Sequence, residues 1–193
     1  MDADSKQQKQ KKKGKQEKSR GRWAIQVFFI AVALSAMLSL ASDQALDGAG
    51  IAVAFVVLLA FILLGIFFDI IGVAVTAADE KPFHSMAARR TPGAREALNL
   101  IRKADKVSSF CNDVVGDICG IISGSTGAVI VVQLQGAFGF LPAMVISLAV
   151  TALTSGLTIG GKALGKSFAI AKSTAVLQLV GRFLHLFSRG KKR

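Results

Sequence analysis

Three carboxylates interrupt the long apolar stretches of this chain, and they are the residues best placed to do chemistry. Asp69 stands near the end of the run Ile51 to Ala78, and Asp113, directly after Asn112, and Asp117 stand in the first half of the run Ser108 to Leu134. Asp113 and Asp117 are four residues apart, so on a helix they share one face. A carboxylate inside a bilayer costs about 2.5–3.5 kcal/mol on insertion scales, so such a residue marks a ligand or a partner. Oxygen-only donors suit a hard cation such as Mg²⁺ in a hydrated pocket. The same residues read equally well as polar glue, with acids at helix ends lying in headgroups or paired with a nearby Lys or Arg.

Other chemistry is poorly served. Cys111 and Cys119 are two helical turns apart, roughly 12 Å along the axis, which is too far for an intrahelical disulfide. They read as small packing residues. His84 and His185 have no Cys or His at metal-ligand spacing. There is no Gly-rich phosphate loop, Ser-His-Asp set or zinc motif, so the chain is not expected to be an enzyme.

The elements that must hold the acids are membrane spans. All 24 Lys and Arg fall within residues 1–22, 79–107 and 162–193, and the stretches between are apolar. Pairs of hydrophobic runs separate the blocks, so all three blocks can lie on one side of a bilayer, with both termini cytoplasmic. Hydrophobic residues make up 52% of the chain and mean hydropathy is +0.51, too apolar for a soluble domain. The net charge of +12 is read as retention of basic loops in the cytoplasm and attraction to anionic lipid, not as nucleic-acid binding, because no basic surface interleaved with aromatics is present.

The layout predicts an all-α polytopic helix bundle of four spans in the plasma membrane, with cytoplasmic juxtamembrane amphipathic helices. Residues 1–22 are low-complexity and read as a disordered basic tail. Trp23 to Ala41 is the first span, anchored by Trp23 at its basic end; cleavage near Ala41 or Ser42 is the alternative reading. Residues 42–50 form an outside loop, and Ile51 to Ala78 is the second span, longer than the roughly 20 residues a crossing needs. The loop 79–107 is broken at Pro82 and Thr91-Pro92-Gly93. From Ala94 to Val107 it reads as an amphipathic helix with the stripe Ala97, Leu98, Ile101 and Ala104, lying on the membrane or packed under the bundle. The third span carries Gly116, Gly120 and Gly124, a four-residue spacing that lets another helix approach closely, within the chain or across a dimer. Gln135-Gly136-Ala137 is the expected outside turn, and Phe138 to about Ile159 the fourth span. A last amphipathic stretch places Val176, Leu177, Val180, Phe183, Leu184 and Phe187 on one face, with Lys172, Arg182 and Arg189 toward water and headgroups.

The stretch Phe67-Phe68-Asp69-Ile70-Ile71-Gly72-Val73-Ala74-Val75-Thr76 resembles the end of the first core helix of CNNM/CorB/CorC-type magnesium transporters, Phe-Phe-Ser-Ala-Ser-Glu-x-Ala-Leu-Thr. Gly93-Ala94-Arg95-Glu96-Ala97-Leu98-Asn99-Leu100 resembles that family's Gly-x-x-Ala-Arg-x-Ala-Leu-x-Leu. Phe110-Cys111-Asn112-Asp113-Val114-Val115-Gly116 falls where the family has Ile-Gly-Asn-Asn-Leu-Val-Asn. Gly161-Lys162-Ala163-Leu164-Gly165-Lys166 falls where the family has Gly-Glu-x-x-Pro-Lys. The resemblance covers about residues 51–188, and implies Mg²⁺ or Co²⁺ transport by a bacterial homodimer that binds the ion through Ser, Asn and Glu oxygens. Residues 51–193 would be the transmembrane module, residues 23–50 an added span and loop. With the chain ending at Arg193, the family's cytoplasmic nucleotide-sensing domains are expected to be absent.

Residue by residue, the resemblance assigns Asp69, Asn112 and Asp113 to the metal. It also exposes departures. The family's second Ser and Glu are Ile71 and Gly72, its last Asn is Gly116, and the Glu of its last motif is Lys162. Lysine offers only donors and a positive charge, so it repels a cation. Two expectations follow: a divalent-cation transporter relative, or a transport-inactive scaffold or regulator in which Lys162 takes the cation's place against Asp69 or Asp113. In the alternative placement Lys162 snorkels to the headgroups and leaves the pocket open.

Overall fold

The computed structural model describes the backbone of residues 2–137 and 142–190, and the side chains of Trp23, residues 25–137 and residues 142–186. It divides into two compact units, residues 1–38 and residues 39–193. Every described element is helical: α1 Asp2–Leu46, α2 Ile51–Ala77, α3 Glu80–Ala88, α4 Ala94–Ile101, α5 Ala104–Ser109, a π-helical turn Phe110–Val115, α6 Gly116–Ala137, α7 Ala143–Ala171 and α8 Ser173–Gly190.

Among the described residues, four helical segments are long and apolar enough to cross a membrane: Ile25–Leu46, Ile51–Ala77, Ala104–Ala137 and Ala143–Ala171. The first unit is the bulk of α1. Its helix extends back to Asp2 through the basic segment, where composition pointed to an unstructured tail. Lys, Gln and Glu are good helix formers, and a helix continuing out of an apolar span needs no new nucleus.

In the second unit α2 is the central helix. Ala54, Leu58, Ile62, Gly65, Asp69 and Gly72 are buried, while Val56, Leu59, Leu63 and Phe67 point outward. Glycine, alanine and a carboxylate inside beside Leu58 and Ile62, with a row of large apolar residues outside, is a pattern that water would not tolerate and lipid favours. The glycines set the register. A Cβ on Gly65 would lie 3.2 Å from Cys119 Cβ, and one on Gly72 would overlap the Asn112 carboxamide, so α6 runs antiparallel to α2. At the other end of the pair, Gln133 Nε2 donates to Ala49 O at 3.0 Å. A Cβ on Gly161 would overlap Ile66, and one on Gly165 would lie 3.0 Å from Ile70, so α7 runs parallel to α2.

Beneath this three-helix unit lies a cap of short helices. Phe83 of α3, Ala97 and Leu98 of α4 and Leu177 of α8 share one apolar core with Ala74, Val75 and Ala169 at the ends of α2 and α7. The expected stripe of α4 is therefore used for packing under the bundle. Gly93, at φ +86°, starts α4 in a left-handed conformation that glycine adopts without a steric penalty. Its backbone crosses that of Gly181 so closely that a Cβ on either would overlap the other chain segment.

Several boundaries differ from the sequence reading. The predicted helix 94–107 breaks at Arg102 and Lys103, and its second part, α5, runs straight into the third span. Gln135, Gly136 and Ala137 are the last residues of α6 and not a turn; Pro142 caps α7, and Phe138, where the fourth span was expected to begin, lies outside the described residues. α7 continues past Ile159 to Ala171: the helix runs unbroken through Gly160 and Gly161, of which Gly161 packs against Ile66 and Gly160 meets nothing within 4 Å. On α8, Leu177 is fully buried but Phe183 is 60% exposed, so the predicted apolar face is divided between cap and surroundings; the Phe187 and Arg189 side chains lie outside the described ones.

A candidate polar site at the helix ends

The carboxylate of Asp69 lies on the buried face of α2 between Gly65 and Gly72, in the sequence of positions i, i+4, i+7. Those two glycines meet Cys119 and Asn112 respectively, so Asp69 faces the stretch of the third span between Asn112 and Gly116. That stretch is where the helix widens into the π turn Phe110–Val115. A π turn inserts one extra residue into a helical repeat, and such turns recur at functional sites. Here it brings the Asn112 amide against Gly72 while its neighbour Asp113 points outward, exposed, accepting from Ser109 Oγ at 2.7 Å.

Two lysines of α7 reach the same place. Lys166 Nζ lies 3.9 Å from Asp69 Oδ2, and the Asp69 side chain is only 5% exposed while that of Lys166 is 53% exposed. Lys162 Nζ covers Gly116: a Cβ there would lie 3.4 Å from it. The two lysines are one turn apart on α7, and the adjoining Gly161 and Gly165 bring that helix down onto Ile66 and Ile70 of α2. The partner of Asp69 is thus Lys166, one turn beyond Lys162. The motif resemblance pointed to Lys162; the i, i+4 spacing of the two lysines was the signal that favoured either.

Asp69, Asn112, Lys162 and Lys166 therefore gather around one end of α2, whereas Asp113 and Asp117 face away on an exposed stripe. Gly116 belongs to the gathered set, and Gly120 and Gly124 do not: a Cβ on either would meet nothing within 4 Å. Two buried acceptors, Asp69 Oδ2 and Asn112 Oδ1, have no hydrogen-bond partner; the Asn112 amide nitrogen donates to Ser108 Oγ at 3.3 Å. Mg²⁺ demands near-ideal octahedral oxygen coordination. An ammonium, that of Lys166, already lies 3.9 Å from one of these two oxygens, and among the described residues no three His, Cys, Asp or Glu side chains cluster to hold a metal. Cys111 and Cys119 are free and buried.

A second polar contact ties the cap together. His185 Nδ1 of α8 lies 2.8 Å from Glu96 Oε1 of α4. Partial burial works against the Glu96 carboxylate, but the hydrogen bond from His185, helped by its own backbone and by the His185 and Arg95 charges, outweighs it and holds the carboxyl below its ordinary value of 4.5. His84 pairs locally with Glu80 at 3.3 Å.

These features make the molecule an all-helical protein with four helices able to cross a membrane and a polar cluster at one end of the bundle. No family model, no characterised protein and no solved structure matches the chain. The likeness to CNNM/CorB/CorC-type transporters accordingly rests on the motifs alone.

Proposed function

We propose that this protein is a four-span plasma-membrane protein, both termini cytoplasmic, in which internal lysines neutralise a buried polar pocket, and that it acts as a membrane scaffold or regulator and not as a cation carrier. The observation that carries this reading is the delivery of two ammonium groups by α7, Lys166 at 3.9 Å from Asp69 and Lys162 over Gly116. A buried carboxylate facing its own tethered cation needs no diffusible one, and an ammonium at the entrance repels a divalent ion. Loops rich in Lys and Arg at 79–107 and 162–193 support the cytoplasmic placement of this end.

The second reading is divalent-cation transport of the CorB kind. It is favoured by Asp69 Oδ2 and Asn112 Oδ1, two buried oxygens without hydrogen-bond partners.

Flux of Mg²⁺ and Co²⁺ into proteoliposomes separates the two. The scaffold reading expects wild-type flux no greater than that of protein-free liposomes. Saturable wild-type flux abolished by Asp69→Asn would establish transport instead.

A further inference from the structure

Between α6 and α7 an open groove of about 510 Å³ runs along the bundle. Its α6 wall carries Gly120, Gly124 and Val132, and its α7 wall carries Thr151, Ser155 and Thr158; no charged residue lines it. A Cβ on Gly120 or Gly124 would meet nothing within 4 Å, so this wall is uncovered. Thr158 Oγ1 donates to Thr154 O at 2.8 Å, so its hydroxyl is already satisfied. From Gly120 to Val132 the groove is about 18 Å long at the helical rise, close to the roughly 15 Å of hydrocarbon in one leaflet. The end at Gly120 is charged. One turn beyond Gly120 is Gly116 and one turn beyond Thr158 is Lys162, and a Cβ on Gly116 would lie 3.4 Å from Lys162 Nζ. The groove therefore opens under that ammonium. Lys162 is partly buried, and among the described residues no carboxylate lies within ion-pair distance of it. On the other flank of the opening, Asp117 is exposed and shares a face of α6 with Gly120 and Gly124 at i, i+3, i+7; Asp113, also exposed, is one turn before it.

We propose that this groove holds one acyl chain of a phospholipid whose phosphate pairs with Lys162 and whose head carries an amine. An ammonium at the edge of the hydrocarbon needs an anion, and the chain offers Lys162 none. The surrounding leaflet offers a phosphate joined to a chain that suits an uncharged groove one leaflet deep, and basic openings between membrane helices hold lipid headgroups in this way. The acids beside the opening choose the head. A purely anionic head would set further negative charge against Asp117, whereas an ethanolamine head places its phosphate on the lysine side and its ammonium toward Asp117 and Asp113. A phosphatidylethanolamine has that order of charges. The two acids that face away from the polar site thereby gain a partner. Asp69 keeps Lys166 at 3.9 Å whatever Lys162 holds. The proposal thus needs α6 and α7 in a bilayer but neither the scaffold nor the transport reading, and the flux experiment and the one below can fail separately.

The test is fluorescence quenching of the full chain in vesicles of phosphatidylethanolamine and phosphatidylglycerol, one or the other carrying brominated acyl chains. W23F removes the single tryptophan, and the reporter is V132W in the groove or L148W on an exposed part of α7 outside it. At V132W phosphatidylethanolamine is expected at least about threefold above its share of the bilayer, the scale of one exposed ion pair; at L148W each lipid is expected at its bulk share. Lys162→Ala should return V132W to the bulk share, Lys162→Arg should keep the enrichment, and Asp117→Asn should move the preference toward phosphatidylglycerol. Excess soluble O-phosphoethanolamine should change nothing; loss of the enrichment under it would give Lys162 to a free phosphate compound and overturn the proposal. Equal shares at V132W, enrichment of phosphatidylglycerol there, or an enrichment that survives Lys162→Ala overturn it as well. Shielding of V132W from both brominated lipids would put protein in the groove, with the same consequence. Should Lys162→Ala fail to fold, native mass spectrometry of the unaltered chain decides: phosphatidylethanolamine adducts that outlast phosphatidylglycerol adducts on activation support the site, and equal or reversed persistence overturns it.

Discussion

Glycines do opposite work in two regions of this molecule. At the closed end, Gly65, Gly72, Gly161 and Gly165 are each filled by a neighbour from another helix of the same chain, and Gly93 and Gly181 cross backbone to backbone. Along the groove, Gly120 and Gly124 meet nothing within 4 Å. The same residue type at similar spacing is in one place spent on the internal fold and in the other left on the surface. A small-residue stripe therefore specifies close approach without specifying to what; the partner is decided by which faces the rest of the chain has already covered.

The greatest loss is expected where backbones cross. Gly93→Ala must leave the left-handed region or strain it, and its Cβ must displace the Gly181–Arg182 backbone. Loss of about 3 kcal/mol follows from overpacking plus the left-handed penalty, read as a lower melting temperature in detergent.

A pair of variants sets the closed glycines directly against the open ones. Gly72→Leu collides with the Asn112 carboxamide and should lose about 2 kcal/mol. Gly120→Leu enters open space, so unfolding of the monomer should shift by no more than about 0.5 kcal/mol. Equal melting losses in both would erase the distinction.

Lys166→Ala leaves Asp69 buried without its cation. Breaking a fully buried pair costs about 3–5 kcal/mol, but Lys166 is half in solvent, so about 1–2 kcal/mol is expected after screening. Adding Asp69→Asn should recover most of it, since the charge that needed a partner is then gone. A double variant no more stable than Lys166→Ala would show that the pair carries no charge-specific stability.

The weakest of these effects concerns the cap. The Glu96 carboxyl is held below 4.5 when folded, so its contribution is complete above that pH and is lost as pH falls through the folded value. The stability gap between wild type and Glu96→Gln, below about 1 kcal/mol for a partly exposed pair, should close as the pH falls through the carboxylate range. Melting curves from neutral pH down through the carboxylate range measure it; a gap that widens on acidification would reverse the assignment.

Much of the architecture was legible because bilayer physics writes itself into composition. Apolar runs long enough to cross, separated by basic blocks, define the spans whatever their neighbours, and Ile51 to Ala78 was read to within a residue of α2. The stripe Ala97 and Leu98 likewise marked the face of α4 that is buried. The amphipathic period of α8 was visible too, but its division between Leu177 inside and Phe183 outside was not, because a stripe does not say which half meets protein.

For the polar site the division is sharper. Residue types alone made Asp69, Asn112, Asp113 and Asp117 costly or conspicuous where they stand; Lys162 drew notice only through the motif resemblance, and neither signal went further. The facing of Asn112 toward α2 and of Asp113 away from it depends on the π turn at Phe110–Val115, which shifts the helical phase and has no period of its own to read. The choice of Lys166 over Lys162 as partner of Asp69 depends on the vertical register of α7 against α2, fixed by Gly161 on Ile66 and Gly165 on Ile70. Register is a sum of many weak side-chain contacts between segments far apart in the chain, so no local pattern carries it and only the packed helices decide it.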